Sequence, residues 1–226
     1  MKKSGLLAIA LLLSGAVLAQ KANTKELESF TELKAYDRII VTLVKGSENK
    51  VVITGDEKDE VEIDNDGGLL KIKMEFDEFL QGDEAKATLY YTEALTLIDA
   101  NENAKIRSDE VVKGDRMDIR AQEGGKIELE IDSDNLYTRA VTGGEVTLTG
   151  SVREQEVMVN TGGKAYNKKL ATDETTVSVN AGGRADIKAS EKVKAKVRAG
   201  GSIYVYGNPK SVDSDKLFGG KIEIVD

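Results

Sequence analysis

Residues 143–163, GGEVTLTGSVREQEVMVNTGG, decide the fold. Two glycine pairs bracket the stretch, and between them apolar residues alternate with polar ones at Val146 and Leu148 and again at Val157 and Val159. Alternation with period two marks half-buried strands, because successive side chains of a strand point to opposite faces. Outward from this stretch the pairs recur at Gly124-Gly125, Gly182-Gly183, Gly200-Gly201 and Gly219-Gly220, so the spacings from Gly124 onward are 19, 19, 20, 18 and 19 residues.

Aligned on the first glycine, the six copies fall into columns. Three positions on stand Ile127, Val146, Ala165, Ala185, Ile203 and Ile222, and five on stand Leu129, Leu148, Asn167, Ile187, Val205 and Ile224. Before the glycines, Ile119, Thr138, Val157, Val177, Ala195 and Ser214 form one column, and Ala121, Ala140, Val159, Val179, Val197 and Lys216 another. These columns are read as pointing inward. The alternate columns, Lys126, Glu145, Lys164, Arg184, Ser202, Lys221 and Glu128, Thr147, Tyr166, Asp186, Tyr204, Glu223, are read as pointing to water. A polar segment such as Asp132-Ser133-Asp134-Asn135 reads as the second turn of each copy.

A unit this short cannot bury its apolar face alone, so the copies must stack. The expected fold is all-β: a right-handed parallel β-helix, or β-solenoid, with roughly 19-residue rungs. Stacked strands lie ~4.8 Å apart, and each buried aliphatic side chain contributes about 1.5–3 kcal/mol before entropy is subtracted. The glycine pairs then mark a corner that needs positive φ or close backbone stacking. A phosphate-cradling role would require one such loop leading into a helix, and no helix follows.

The N-terminal third is less regular. Strand-like runs occur at 38–44, 50–54, 61–63, 69–74, 87–91 and 95–98. Gly67 lies 57 residues before Gly124, three times 19, which places Leu70 and Ile72 in the inward phase of a degenerate rung. The expected organisation is a single solenoid domain over 20–226, with irregular rungs and a cap over 20–100 and regular rungs over 101–226; a separate small β-sandwich at the N-terminus is the alternative. At the other end, Leu217-Phe218 supply bulk while Ser214 and Lys216 break the inward columns, as expected of a terminal rung covering an exposed edge.

Composition narrows the chemistry. The 226 residues contain no Cys, no His and no Trp, but 22 Gly against one Pro. Without Cys or His, thiol nucleophiles, thiolate metal sites and the Ser-His-Asp triad are excluded. Neither a metal nor another cofactor is expected. Residues 1–19 read as a signal peptide, with Lys2 and Lys3 preceding the apolar run Leu6–Leu13 and Val17-Leu18-Ala19 supplying the cleavage site. The apolar run is too short to span a membrane, no later run approaches the ~20 residues required, and no Cys follows Ala19 to carry a lipid. Cleavage would make the net charge two units more negative than −8, which disfavours nucleic acid as a partner. The expected location is the periplasm or cell surface.

The stretch from Phe30 to Gly46, FTELKAYDRIIVTLVKG, followed by Val51-Val52-Ile53-Thr54-Gly55-Asp56 and the repeated glycine pairs, resembles the head GIN domain family, labelled “putative auto-transporter adhesin” and found in exported proteins of Bacteroidota. The family commonly writes its repeat as Ser-Gly-Gly-Ser-Asp; here only the glycines persist, as in Thr161-Gly162-Gly163-Lys164. The resemblance implies a right-handed parallel β-helix and no established enzyme activity.

Three features could carry function. Tyr166 and Tyr204 share one outward column two rungs apart, roughly 10 Å, a spacing at which flat rings could stack on sugar; the same rings would also simply cover the wall. Lys126, Lys164, Arg184 and Lys221 form a basic ladder that an anionic polysaccharide could follow, or a solvated face. Asp64-Asn65-Asp66-Gly67 resembles the start of a calcium loop but lacks the later ligands, and so reads as a turn. The leading expectation is a non-enzymatic envelope or surface interaction protein, a candidate adhesin contacting polysaccharide or another protein, with Tyr166 and Tyr204 as its ligand-binding residues. The alternatives are a structural module that self-associates end to end and, behind it, a polysaccharide-acting enzyme using paired carboxylates. The sequence sets no oligomeric state.

Overall fold

The computed structural model describes residues 22–75 and 85–225, and the expected signal segment lies outside the described residues. The strands are β1 (Asn23–Glu26), β2 (Glu32–Ala35), β3 (Ile40–Lys45), β4 (Lys50–Thr54), β5 (Val61–Asp66), β6 (Leu69–Met74), β7 (Lys86–Tyr91) and β8 (Leu97–Ala100). After them come β9 (Lys105–Ala121), β10 (Lys126–Ala140), β11 (Glu145–Val159), β12 (Lys164–Asn180), β13 (Arg184–Lys188), β14 (Lys192–Arg198), β15 (Ser202–Tyr206), β16 (Ser211–Leu217) and β17 (Lys221–Ile224). All are hydrogen-bonded into one network, a parallel β-solenoid of about seven turns.

The register between rungs is the one the glycine alignment predicts. Ile127 of β10 lies opposite Val146 of β11, Leu129 opposite Leu148, and Ala140 opposite Val159. From Ile119 to Val205 every residue of the four inward columns is buried. The polar segment 132–135 does not end the strand, however: β10 runs through it, with Asp132, Ser133 and Asn135 paired to Ser151, Val152 and Glu154 and only Asp134 dropping out of the ladder. A corner that keeps its interstrand hydrogen bonds leaves fewer backbone groups to be satisfied elsewhere.

The glycine pair occupies the other corner, where its two members do different jobs. In the turn 141–144, Thr142 and Gly143 both adopt positive φ, 49° and 75°, and the Gly144 amide donates to the Val141 carbonyl at 2.9 Å. The first glycine is chosen by conformation, since a Cβ at Gly143 would meet open space. Gly144 is chosen by crowding: a Cβ there would lie 2.1 Å from the Ala121 carbonyl oxygen of the preceding rung. Successive turns bond directly, Gly124 to Thr142 and Gly143 to Thr161, each at 3.2 Å.

The same turn occurs twice more without glycine, at Tyr36-Asp37-Arg38-Ile39 and Asn101-Glu102-Asn103-Ala104, where Asp37, Arg38, Glu102 and Asn103 all have positive φ. Gly67 is not part of this corner. Gly67 and Gly68 form the tight turn of the antiparallel β5–β6 hairpin, with Asp66 opposite Leu69 and φ of 58° and 85°, the geometry such two-residue turns demand. The expected phase was therefore wrong in origin although Leu70 and Ile72 are buried: β6 pairs with β2, so these residues belong to the face before the corner.

In the N-terminal third, spatial order departs from chain order. β2 lies between β6 and β8, and β3 lies between β7 and β9, in both cases parallel. The first rung of the chain is thus sandwiched between two later ones, and contacts such as Arg107 with Thr42 join residues 65 apart. β4, β1 and β5 close this end with antiparallel pairings.

Several polar groups are buried. Asp99, 2% exposed, accepts from Gln122 Nε2 at 3.1 and 3.3 Å, and burial raises its pKa above the usual carboxylate value. Inside the regular rungs, Thr138, Gln155 and Asn167 are buried with side-chain polar atoms that find no hydrogen-bond partner among the described residues. The terminal rung does not cover its edge as expected. Phe218 is 83% and Leu217 45% exposed; no strand among the described residues packs on the outer side of β16 and β17, and their bulk faces solvent.

Candidate ligand-binding wall

The outward columns of the face after the glycine corner assemble on β12, β13, β15 and β17. Parallel pairing sets Tyr166 opposite Asp186, Asp186 opposite Tyr204, and Tyr204 opposite Glu223. Two positions nearer the corner, Lys164 lies opposite Arg184, Arg184 opposite Ser202, and Ser202 opposite Lys221. Tyr166 and Tyr204 thus share a column two rungs apart, with Asp186 between them.

Asp186 does not point to water as its column implied. It is only 3% exposed, covered by the guanidinium of Arg184, whose Nε and Nη2 donate to its two carboxylate oxygens at 3.0 Å each. A planar guanidinium matches a carboxylate bidentately, and the flat group is held over both neighbouring rings. Arg184 Cζ lies 4.6 Å from the Tyr204 centroid and 5.8 Å from that of Tyr166. Lys221 Nζ approaches Tyr204 at 5.1 Å and bonds Glu223. Cations within about 6 Å of a ring centroid are attracted by its quadrupole.

The hydrogen bond to Asp186 is the main reason the Arg184 pKa is raised, and the bond to Glu223 raises that of Lys221. Both groups stay charged throughout the physiological range. Arg184 uses two of its N–H donors on Asp186, and a guanidinium carries five, so three remain for other acceptors. The rings are accordingly not bare platforms: each tyrosine is braced by a cation whose outer edge faces solvent.

The basic ladder read from the sequence is present in register, Lys126 opposite Glu145, Glu145 opposite Lys164, and Lys164 opposite Arg184. Lys164 pairs with Glu145 at 3.7 Å. What the columns missed is a second group of cations. The register of β11 on β12 slips between Thr147 and Thr149, which pair with Tyr166 and Lys169. That bulge inserts one residue, and in consequence Lys168 and Lys169 are both exposed. Lys188 on β13 is exposed as well. The signal was available in the single 20-residue glycine spacing, from Gly162 to Gly182. The next spacing is 18 because Glu174 already pairs with Lys192, so the inserted residue is absorbed within one rung.

The Asp64-Asn65-Asp66 segment is β5 strand and hairpin turn, and among the described residues no group of three or more acidic side chains is arranged to hold a metal. No helix among them is long and apolar enough to cross a membrane.

Stacked rungs that present one continuous outward wall define a class of repeat-built β-solenoid proteins. The chain belongs to the family described as “Putative auto-transporter adhesin, head GIN domain”, whose model matches residues 29–209. Solved structures share the fold. A protein from Bacteroides fragilis called a putative adhesin is 15% identical, with TM-score 0.77, over 91% of this chain and 96% of that one. A Parabacteroides distasonis protein called a putative lipid binding protein is 18% identical, with TM-score 0.71 over the same shares of the two chains. A Parabacteroides merdae protein called a putative adhesin is 18% identical with TM-score 0.69, again covering 91% and 96%. Comparison with functionally curated proteins returns no match.

Proposed function

We propose that this is an exported, non-enzymatic interaction protein that holds an envelope or extracellular polysaccharide, at the periplasm or cell surface, on the wall around Tyr166 and Tyr204. The observation that carries this reading is the braced ladder of Tyr166, Asp186 and Tyr204. Two rings and a guanidinium are fixed by strand pairing and ion pairing before any ligand arrives, and preorganised groups lose little entropy on binding. The family description and the names of two of the three structural neighbours support an adhesive role, the third being called a lipid binding protein.

A glycan array probed with the purified chain, with calcium and with chelator, tests the reading beside a Tyr166→Ala, Tyr204→Ala variant. Retention by the parent and its loss in the variant would support the site. Equal retention by both would remove the tyrosines from it, and no retention under any condition would overturn the glycan reading.

A second reading, an end-to-end structural module, draws on the open C-terminal rung. There Leu217, Phe218 and Ile224 are exposed, and the outer edges of β16 and β17 have no strand partner among the described residues. Exposed strand edges are templates for pairing. Sedimentation at increasing concentration would show association, lost in Phe218→Asp, if this reading holds.

A further inference from the structure

We infer that the wall formed by β12, β13, β15 and β17 selects polyanionic glycans, chains bearing carboxylate or sulfate groups, over neutral ones. This deepens the glycan reading above and rests on it.

The first argument is the distribution of charge along one face. On the lower rungs the outward residues after the corner are Lys126, Glu128, Glu130 and Asp132 of β10, three carboxylates against one cation, and Glu145, Thr147 and Thr149 of β11. On the upper rungs they are dominated by Lys164, Lys168, Lys169, Arg184, Lys188 and Lys221, against the carboxylates Asp186 and Glu223. The sign of the wall reverses between β11 and β12, in a protein whose net charge is −8. A local positive strip on an acidic body attracts anions to one place and repels them elsewhere.

The second argument is which of these cations are committed. Lys164, Arg184 and Lys221 have carboxylate partners. Lys168, Lys169 and Lys188 are exposed and have none among the described residues. Lys169 owes its outward place to the bulge in β12, which departs from strict alternation and so sets it beside Lys168 on the outside.

The third argument is geometry. Successive rungs step by ~4.8 Å, comparable to one hexose unit of an extended chain, so a polysaccharide lying along the axis would bring a repeating anion near each cationic rung. Between the β13 cations and Lys221, the intervening rung presents Ser202, Tyr204 and Tyr206, hydroxyls and rings suited to sugar hydroxyls and ring faces. A duplex nucleic acid would bring its wide field against the acidic remainder of the protein. A membrane surface would call for several exposed apolar side chains on the strip, whereas among the described residues the exposed large apolar side chains are Val111, Leu217, Phe218 and Ile224, of which only Ile224, on the terminal rung, stands on these strands.

The test is titration of the full chain against polygalacturonate and heparin, with dextran as the neutral glycan, and duplex DNA and phosphatidylglycerol vesicles as other anionic surfaces. Binding to either polyanionic glycan is expected, weakening roughly tenfold as salt is raised from about 50 to about 300 mM. Lys168→Gln, Lys169→Gln and Lys188→Gln together should weaken it roughly tenfold with an unchanged unfolding midpoint. The matched variant Lys58→Gln, Lys73→Gln, Lys113→Gln should bind as the parent does. Equal, salt-insensitive binding to dextran would overturn the anionic selectivity and leave the glycan reading standing. Absence of binding to every glycan would overturn both. Preference for DNA or vesicles, or equal losses in the two triple variants, would overturn the strip as a glycan site.

Discussion

The regular rungs and the N-terminal third solve the same packing problem with different wiring. In the regular rungs, each strand finds its neighbour one repeat along the chain, as Ile127 finds Val146. In the N-terminal third β2 and β3 are flanked by strands from later in the chain, and Ala35 meets Ala100. Both regions use the same corner, with two consecutive residues at positive φ. Only the regular rungs need glycine there. A side chain at the second-glycine position fits where Ala104 and Ile39 stand, whereas at Gly144 and Gly163 it would strike the carbonyl of the rung before. Glycine in this fold is a mark of tight sequential stacking more than of the turn itself.

The sharpest way to break that comparison is at the second glycine. Gly144→Ala is expected to cost roughly 3–5 kcal/mol in urea unfolding, because backbone would have to move. Gly143→Ala should cost only about 1–2 kcal/mol, the left-handed penalty alone. If the two substitutions cost the same, crowding is not the reason for the pair. Ala104→Gly, the converse change in the irregular region, should destabilise by about 1 kcal/mol or less.

A smaller effect of opposite sign is expected within the regular core. Asn167 is fully buried and its amide has no partner among the described residues, in a column otherwise held by Leu129, Leu148, Ile187 and Val205. Asn167→Leu should stabilise the protein by about 1–2 kcal/mol, the desolvation of an unpaired polar group being relieved. A fall in stability would mean that the amide fixes the adjacent bulge.

In the irregular region, Asp99 supplies a dependence on pH. Its folded-state pKa is raised by burial, so the folded form binds the proton more tightly than the unfolded chain. The associated stability is complete below the ordinary carboxylate pKa and is lost as pH rises through the folded-state value. Asp99→Asn should therefore flatten the stability profile across that window, gaining on the parent at neutral pH relative to acid. Parallel profiles for parent and variant would count against this assignment.

The smallest effect should come from the ion pair between Lys113 and Asp132 at 3.2 Å, whose side chains are 71% and 54% exposed. Lys113→Ala should alter the unfolding free energy by less than about 0.5 kcal/mol.

Legibility in the sequence followed the wiring. Where partners are one repeat apart, alignment on the glycines gave register, inward columns and corner together. Where they are 37 or 65 residues apart, no local period exists, and Gly67 was assigned to the wrong turn because a multiple of 19 coincided with a hairpin. At the candidate site, Tyr166 and Tyr204 were legible as column mates. Burial of Asp186 was not, because alternation says which face a side chain takes and nothing about what folds over it. Lys169 was hidden by the bulge, since period-two reading assumes that no residue has been added and would turn it inward.

The interleaved N-terminal rung also bears on the order of assembly. A chain made from its first residue exposes β2 and β3 long before β8 and β9 exist to flank them. Closing such long loops is slow relative to pairing neighbours, as the dependence of folding rate on contact order describes. β2 and β3 therefore wait until the chain has been made as far as β9 before both flanking strands exist, whereas each regular rung meets the rung before it as soon as it is made.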